Sequence, residues 1–422
     1  MHLPILRLVM VSHRGSMPWG FFGVVPGSEA GAFCDIVETE KRRTHLEVEQ
    51  SQKCPYDEKF YQSDSEEDIG DFASIHDMVT EICDTDQDKD WWSLHLQNSC
   101  GWAWLAVLLT RLTHLQSLSI SHIKEGFLLD VLVKAAKRQH PFDKSTPFPF
   151  FRDVELTCPL ENEMIWSDHA MPFFYLPAVR KVNALKVYEG SPGSYTKPDF
   201  ADHRRSECPV TEINLIHTIA CDDINDWIAA CSKLEHFHLE FGMINSIKHT
   251  EGYNPLTAQA FRRSLLSAKY TPKSLRLEFR VSYKTYSKHH AEQSKMNLPF
   301  GSFKEFHVLE NLFMRHANLI RSPNTGPMKE YSPDHELLIQ ILPRSLKSLE
   351  IVDIMDNTFP ALVWDLVKLV TRREDMPQLR SIVLHVNDGD SAINKGLIGV
   401  IECACQSTEV CLTIKGSAPI NN

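Results

Sequence analysis

Four aspartates, Asp84, Asp86, Asp88 and Asp90, alternate along the chain like the first half of a calcium-binding loop. Such a loop needs glycine at its sixth position for a sharp turn and a bidentate acid at its twelfth. Lys89 and His95 stand there, and Trp91 and Trp92 interrupt the run. The stretch therefore reads as a solvated acidic turn, not as a calcium site. His236 and His238 alternate on an expected strand and so share one face. Two imidazoles can begin a metal site, but the sequence offers no identifiable third ligand, and the pair reads as polar surface turned towards a partner. His289 and His290 are adjacent in a lysine-rich loop, where neighbouring side chains do not converge on one ion. Ser63 and Ser65 each precede an acid by three residues, which suits an acid-directed kinase. A solvated linker is the plainer reading there.

The strings GxxxxGKS/T, GxGxxG, HExxH and GxSxG do not occur. Phosphate cradles, dinucleotide sites, zinc proteases and nucleophile elbows thus lack their sequence mark. The tryptophans Trp91, Trp92, Trp102 and Trp104 sit beside a helical pattern and read as a layer shielding a first repeat. Eleven cysteines show no CxxC pair and no regular spacing. Cys403, Cys405 and Cys411 read as buried, reduced thiols, and no Asn-x-Ser/Thr acceptor occurs. Both facts favour the cytosol or nucleus. No catalytic residue, cofactor or metal is expected, and the chain reads as a non-enzyme.

The elements that position these residues follow from apolar spacing. The first 68 residues mix Gly, Pro, Ser and charge without apolar period and are expected to be poorly ordered. Between Asp57 and Asp90 thirteen acids face two lysines, while the rest of the chain is neutral, so the net charge of -11 is local. An acidic segment and only short basic clusters argue against nucleic acid as the main partner. The mean hydropathy is -0.25 and the longest apolar run is Trp102 to Leu109, too short to span a membrane.

From Ile69 onward a unit repeats. Leu105, Leu108, Leu109 and Leu112 fall on one helical face, and Leu115, Leu118 and Ile120 follow with strand alternation. Asp222, placed as a cap, opens a helix to Cys231, followed by Leu234, Phe237 and Leu239. Comparable pairs lead into Leu346-Leu349-Ile351, Leu379-Ile382-Leu384 and Val410-Leu412-Ile414. Val154–Leu156, Val179–Val187, Val210–Leu215 and Leu275–Phe279 are further strand candidates. No such unit buries its apolar face alone, so the units must stack. The expected fold is α/β: an irregular leucine-rich-repeat-like solenoid over 69–422, helices outside a curved, mainly parallel sheet. Strand spacing varies from roughly 24 to 43 residues, and Ile123, Thr218, Gly242 and Ile354 replace the usual Asn or Cys after the strand. Only Asn387 fits. Long excursions are expected over 282–301 and 321–334.

AWLAVLLTRLTHLQSLSI (103–120), KAAKRQHPFD (134–143), LPAVRKV (176–182), GSFKEF (301–306) and LPRSLKSLEI (342–351) resemble filamentous-fungal F-box or leucine-rich-repeat proteins. The resemblance covers most of residues 70 to 415. It implies repeats that hold a substrate protein and an N-terminal F-box that docks on the adaptor of a cullin-type ubiquitin ligase. The sequence departs from that pattern at its start. HLPILRLVMVSHR (2–14) echoes the end of an F-box but is too short for that helical module: the adaptor-binding part is lost, or the true start lies upstream of Met1, or the echo is coincidence.

The leading expectation is a protein-interaction module, with the outward third and fifth positions of each L-x-x-L-x-L strand forming a polar strip on the concave sheet. Those residues are Ser117, Ser119, Glu212, Asn214, His236, His238, Ser348, Glu350, Ser381 and Val383. The alternatives are an enzyme with a loop-built site, and a degenerate F-box relative without a ligase role.

Overall fold

The computed structural model describes residues 6–10, 73–97, 100–112, 114–121, 126–157, 164–188, 208–218, 222–241, 258–279, 298–320, 337–354, 358–386 and 392–416. These pack as two compact units, one ending at Val182 and the other beginning at Asn183. Ser63, Ser65, His289, His290, Asn387 and the two expected excursions lie outside the described residues, apart from a few at the excursion ends.

In the first unit, β1 (Leu6–Met10) and β2 (Leu115–Ser121) pair in parallel, and β2 pairs in parallel with β3 (Asp153–Thr157). The start of the chain, compared above with the end of a helical module, thus contributes a strand. Helices Ala73–Thr80, Asp86–Gln97, Gly101–Arg111 and Phe127–Ala136 pack on one another in chain order. The acidic turn is a correction: Asp86 opens a helix. The Thr85 hydroxyl donates to Asp88 Oδ2 at 2.7 Å, and the Asp88 amide donates back to the Thr85 hydroxyl at 3.1 Å. This reciprocal cap, with acids at the positive helix end, favours helix over turn. Asp84 turns to Lys134 and Asp86 to Lys89, so the four acids do not converge. Trp92 stacks edge-to-face on Phe127 within this helical layer, while Trp91 stays largely exposed. Two-residue strand β4 (Ile165–Trp166) follows, and β5 (Lys181–Leu185) straddles the division.

The second unit continues with β6 (Val187–Tyr188), β7 (Glu212–Thr218), β8 (His236–Phe241), β9 (Ser274–Phe279), β10 (Asn311–Arg315), β11 (Ser348–Ile354), β12 (Ser381–Val386) and β13 (Cys411–Gly416). From β7 to β13 each strand pairs in parallel with the next. Their starts are 24 to 38 residues apart, room for a helix in most connections. The cause is the apolar alternation. Ile213, Leu215, Phe237, Leu239, Leu275, Leu277, Leu312, Met314, Leu349, Ile351, Ile382 and Leu384 all point to one buried face. Each such burial contributes about 1.5–3 kcal/mol. The helix Phe359–Thr371 buries Phe359, Leu362, Val363, Leu366, Leu369 and Val370 as one stripe and packs on its helical neighbours Leu338–Ile341 and Ala392–Ser407. The α/β repeat architecture expected from the sequence is thus present. No helix among the described residues is long and apolar enough to cross a membrane.

A second ladder locks the register. Just before each strand, one carbonyl accepts two amide protons from the next repeat: Thr211 from Glu235 and His236, then Glu235 from Lys273 and Ser274, then Lys273 from Glu310 and Asn311. Glu310 and Lys347 continue it to Ser348 and Ser381. These positions also carry charge, so Lys273 meets Glu235 and Lys347 meets Glu310, each at 2.7 Å. Their exposure limits each pair to under about 1 kcal/mol, so they select register more than they stabilise.

The missing post-strand Asn has a structural counterpart. β7 and β11 each shift register near their ends, and His217 and Asp353 there adopt φ 57° and 53°. Lys186 does the same at the equivalent place after β5. The kink turns Thr218 and Ile354 into the core, where both are fully buried, so the strand ends are closed by packing. The helix Asp222–Ala230 includes Asp222 itself, so the cap assigned to Asp222 falls one residue too late.

Candidate functional site

The buried alternation leaves the opposite, open face of the sheet to the intervening residues. In the second unit strand register lines them up in rows. One row runs Glu212, His236, Ser274, Asn311, Ser348, Ser381 and Cys411. The next runs Asn214, His238, Arg276, Phe313, Glu350, Val383 and Thr413. Eight of the ten residues named from the sequence therefore share this face, and parallel pairing sets them side by side. Ser117 and Ser119 sit on β2 of the first unit, where Ser119 is only 8% exposed between Val9 and Glu155 in register.

The face is not a row of independent side chains. Ser381 donates to Ser348 at 2.8 Å. Glu350 holds His385 at 2.6 Å and Lys415 at 3.1 Å, drawing three strands together. Burial raises the Glu350 carboxyl, but the His385 and Lys415 contacts outweigh it and hold the group below its usual range. Arg276 donates through Nε and Nη2 to Glu278 at 2.9 and 2.6 Å and lies 3.9 Å over the ring of Phe313. Phe313 also meets His385 edge-on at 6.3 Å. A buried aromatic ring thus sits in the middle of a polar face, clamped between a guanidinium and an imidazole.

At the β7–β9 end, His238 Nε2 is 3.7 Å from Glu278, and His217 Nδ1 is 2.8 Å from Glu240. The His238 imidazole holds the Glu278 carboxyl below its usual range, against burial and with help from Arg276. His238, Glu240 and Glu278 bring three ligand atoms within 4.8 Å of one another. His236 of the pair expected from the sequence is not among them; His238 is joined instead by Glu240 on its own strand and by Glu278 on the next.

Sequence reasoning missed Arg276, Glu278, Phe313, Arg315, His385 and Lys415. Phe313 and Arg315 lie on β10, a strand that was overlooked although Leu309-x-x-Leu312-x-Met314 is the same pattern with Met in last place. Of the cysteines expected to be buried, Cys405 is, whereas Cys403 and Cys411 are exposed. Cys411 lies on the last described strand, with a neighbour on one side only.

The repeated strand pattern, the parallel register and the sequential helices have a match among known families. A family model described as a leucine-rich repeat domain covers residues 135–412. The chain belongs to this leucine-rich repeat family. No curated protein matches the chain significantly. In leucine-rich repeat domains the stacked strands present a broad surface to protein partners, and such domains are typically interaction modules without catalysis. The α/β fold class read from the sequence and the matched family agree.

Proposed function

We propose that this leucine-rich repeat domain binds a protein partner through the open sheet face of β7–β13, centred on His236, His238, Phe313 and Glu350. The observation that carries this reading is the buried Phe313 ring within a charged, hydrogen-bonded surround on the open face. A desolvated aromatic or arginine inside a polar rim is the arrangement that concentrates binding energy at protein interfaces. Positive and negative groups alternate across the face, which suits a partner with matched charges and gives no continuous basic surface for phosphates.

The finer reading is a substrate receptor of a cullin-type ubiquitin ligase in the cytosol or nucleus. It is supported by the sequence resemblance to F-box proteins together with membership of the leucine-rich repeat family. Ser117 and Ser119, on β2 of the first unit, are proposed as partner contacts of that unit taken by itself, and the domain is taken as 69–422. Affinity capture of the tagged protein from its own cells tests both levels. Recovery of a cullin and its adaptor supports the receptor; recovery of other proteins without that machinery removes the ligase. Replacing His236, His238 and Glu350 together by alanine is expected to abolish capture of the recovered partner while the thermal melt persists. Capture unchanged in that variant would remove the open face from the assignment.

A further inference from the structure

We infer that His238, Glu240 and Glu278 form a binding site for a divalent transition-metal ion, Zn²⁺ by ligand chemistry, at the β8–β9 end of the open face. The inference goes beyond partner binding and does not depend on it.

Two strands supply the ligands. His238 and Glu240 are two residues apart on β8 and point to the same side. Glu278 stands beside Glu240 in the parallel register of β9. Their ligand atoms lie within 4.8 Å of one another. A tetrahedral zinc with bonds of about 2.0–2.2 Å needs its ligands about 3.4 Å apart. Ion binding requires the two glutamate side chains to rotate until that difference closes. His238 Nε2 already lies 3.7 Å from Glu278 Oε2.

The imidazole gives an independent sign. Nε2 of His238 is shut off from solvent, and its nearest partner, Glu278 Oε2 at 3.7 Å, is beyond a normal hydrogen-bond distance. A buried nitrogen lone pair in that state is costly unless something accepts it. A metal ion does so, with the ring proton on Nδ1. His217, whose Nδ1 is 2.8 Å from Glu240 Oε1, is a positioning residue that fixes the glutamate from β7. Its φ of 57° at the β7 bulge is what turns the chain there.

The charge balance is favourable. Two carboxylates face the ion, and Arg276 offsets one of them through Glu278 Oε2. A divalent ion therefore enters a site of net negative charge, weakened but not cancelled by the guanidinium. Imidazole with two carboxylates suits Zn²⁺ or Co²⁺ over Mg²⁺ or Ca²⁺, which prefer all-oxygen shells. Three protein ligands leave a fourth position for water or for a side chain of a partner.

The test uses the full chain, stripped with EDTA and titrated with Co²⁺ and then Zn²⁺ alone. One equivalent of Co²⁺ with visible d–d bands and no thiolate charge-transfer band is expected, displaced by Zn²⁺. His238→Gln and Glu278→Gln are expected to bind at least about tenfold more weakly, since even outer partners of ligands have effects that large. His236→Gln, two residues earlier on the same face, is expected to bind as the parent does. If His238→Gln fails to fold, Glu278→Gln carries the same expectation. No stoichiometric uptake, a thiolate band, or equal loss in His236→Gln would overturn the site.

Discussion

Arg315 and Asp353 form a buried ion pair: Nε and Nη2 of the arginine lie 2.9 and 2.6 Å from the same carboxylate oxygen. The guanidinium is 1% exposed, and Asp353 sits in the left-handed region at φ 53°. One aspartate thus meets two requirements at once, the bulge that ends β11 and the balance of a buried charge from β10. Asp tolerates that backbone region better than most residues.

Removing that carboxylate is therefore expected to be costly. Asp353→Ala should destabilise the fold by about 3–5 kcal/mol, because a buried guanidinium loses the anion it faces. Asp353→Asn keeps the backbone tolerance and a hydrogen-bond acceptor and should cost less. Urea denaturation of the two variants separates the charge from the conformation; equal losses would mean that the lost charge alone matters.

The aromatic layer under β8–β10 makes a second prediction. Phe261, Phe300, Phe303 and Phe306 are fully buried, and Phe300 and Phe303 stack with centroids 4.5 Å apart at 4°. Phe303→Ala should cost about 3–5 kcal/mol through lost transfer energy and the cavity left behind. Phe303→Leu should cost clearly less. A urea midpoint for Phe303→Ala near that of the parent would show that the layer collapses around the gap.

The depressed Glu278 carboxyl predicts a pH dependence. A group whose folded value lies below its unfolded one stabilises the fold above the unfolded value, about 4.3. That stabilisation is lost as pH falls through the lower folded value. The stability gap between the parent and Glu278→Gln, measured in EDTA, should be full near neutrality and close only below about pH 4. A gap that is constant down to pH 3 would contradict the shift and its cause in His238 and Arg276.

Thiol reactivity should divide the cysteines sharply. Burial pushes Cys83 and Cys405 up to about 11. From a starting value of 9.0 that cuts the thiolate population about a hundredfold at pH 8. Cys231 is raised too, by burial and by Cys208, whose sulfur is 3.1 Å away. Of these six cysteines, alkylation followed by peptide mapping should label Cys403 and Cys411 first, and Cys83, Cys208, Cys231 and Cys405 only on unfolding. Early labelling of Cys405 would place the Ala392–Ser407 helix in local opening.

Much of the fold was legible because strand alternation and helical spacing are local signals. Leu346-x-x-Leu349-x-Ile351 already says which side chains go inwards and, by elimination, that Ser348 and Glu350 go outwards. β10 escaped notice because Phe313 and Arg315, on the outward positions, are themselves buried, so the run Leu312 to Arg315 lacks the usual polar alternation. The acidic run Asp84 to Asp90 reads as a turn because alternating aspartates resemble a calcium loop, whereas the Thr85–Asp88 cap makes a helix from Asp86 onward. Cys411 was expected to be buried, but a strand with one neighbour covers less of its side chains.

The sequence by itself determined the repeat, the α/β class and the two faces of each strand, because these depend on residues a few positions apart along one chain. Which residues meet across the open face was decided by tertiary structure alone. Glu278 lies forty residues after His238, and Lys415 sixty-five after Glu350. Only the parallel register of stacked strands, each about 4.8 Å from the next, brings such distant positions into one row. The connections between strands differ in length, so no fixed period in the sequence encodes that register. The backbone ladder and the packing of each repeat on its neighbour set it.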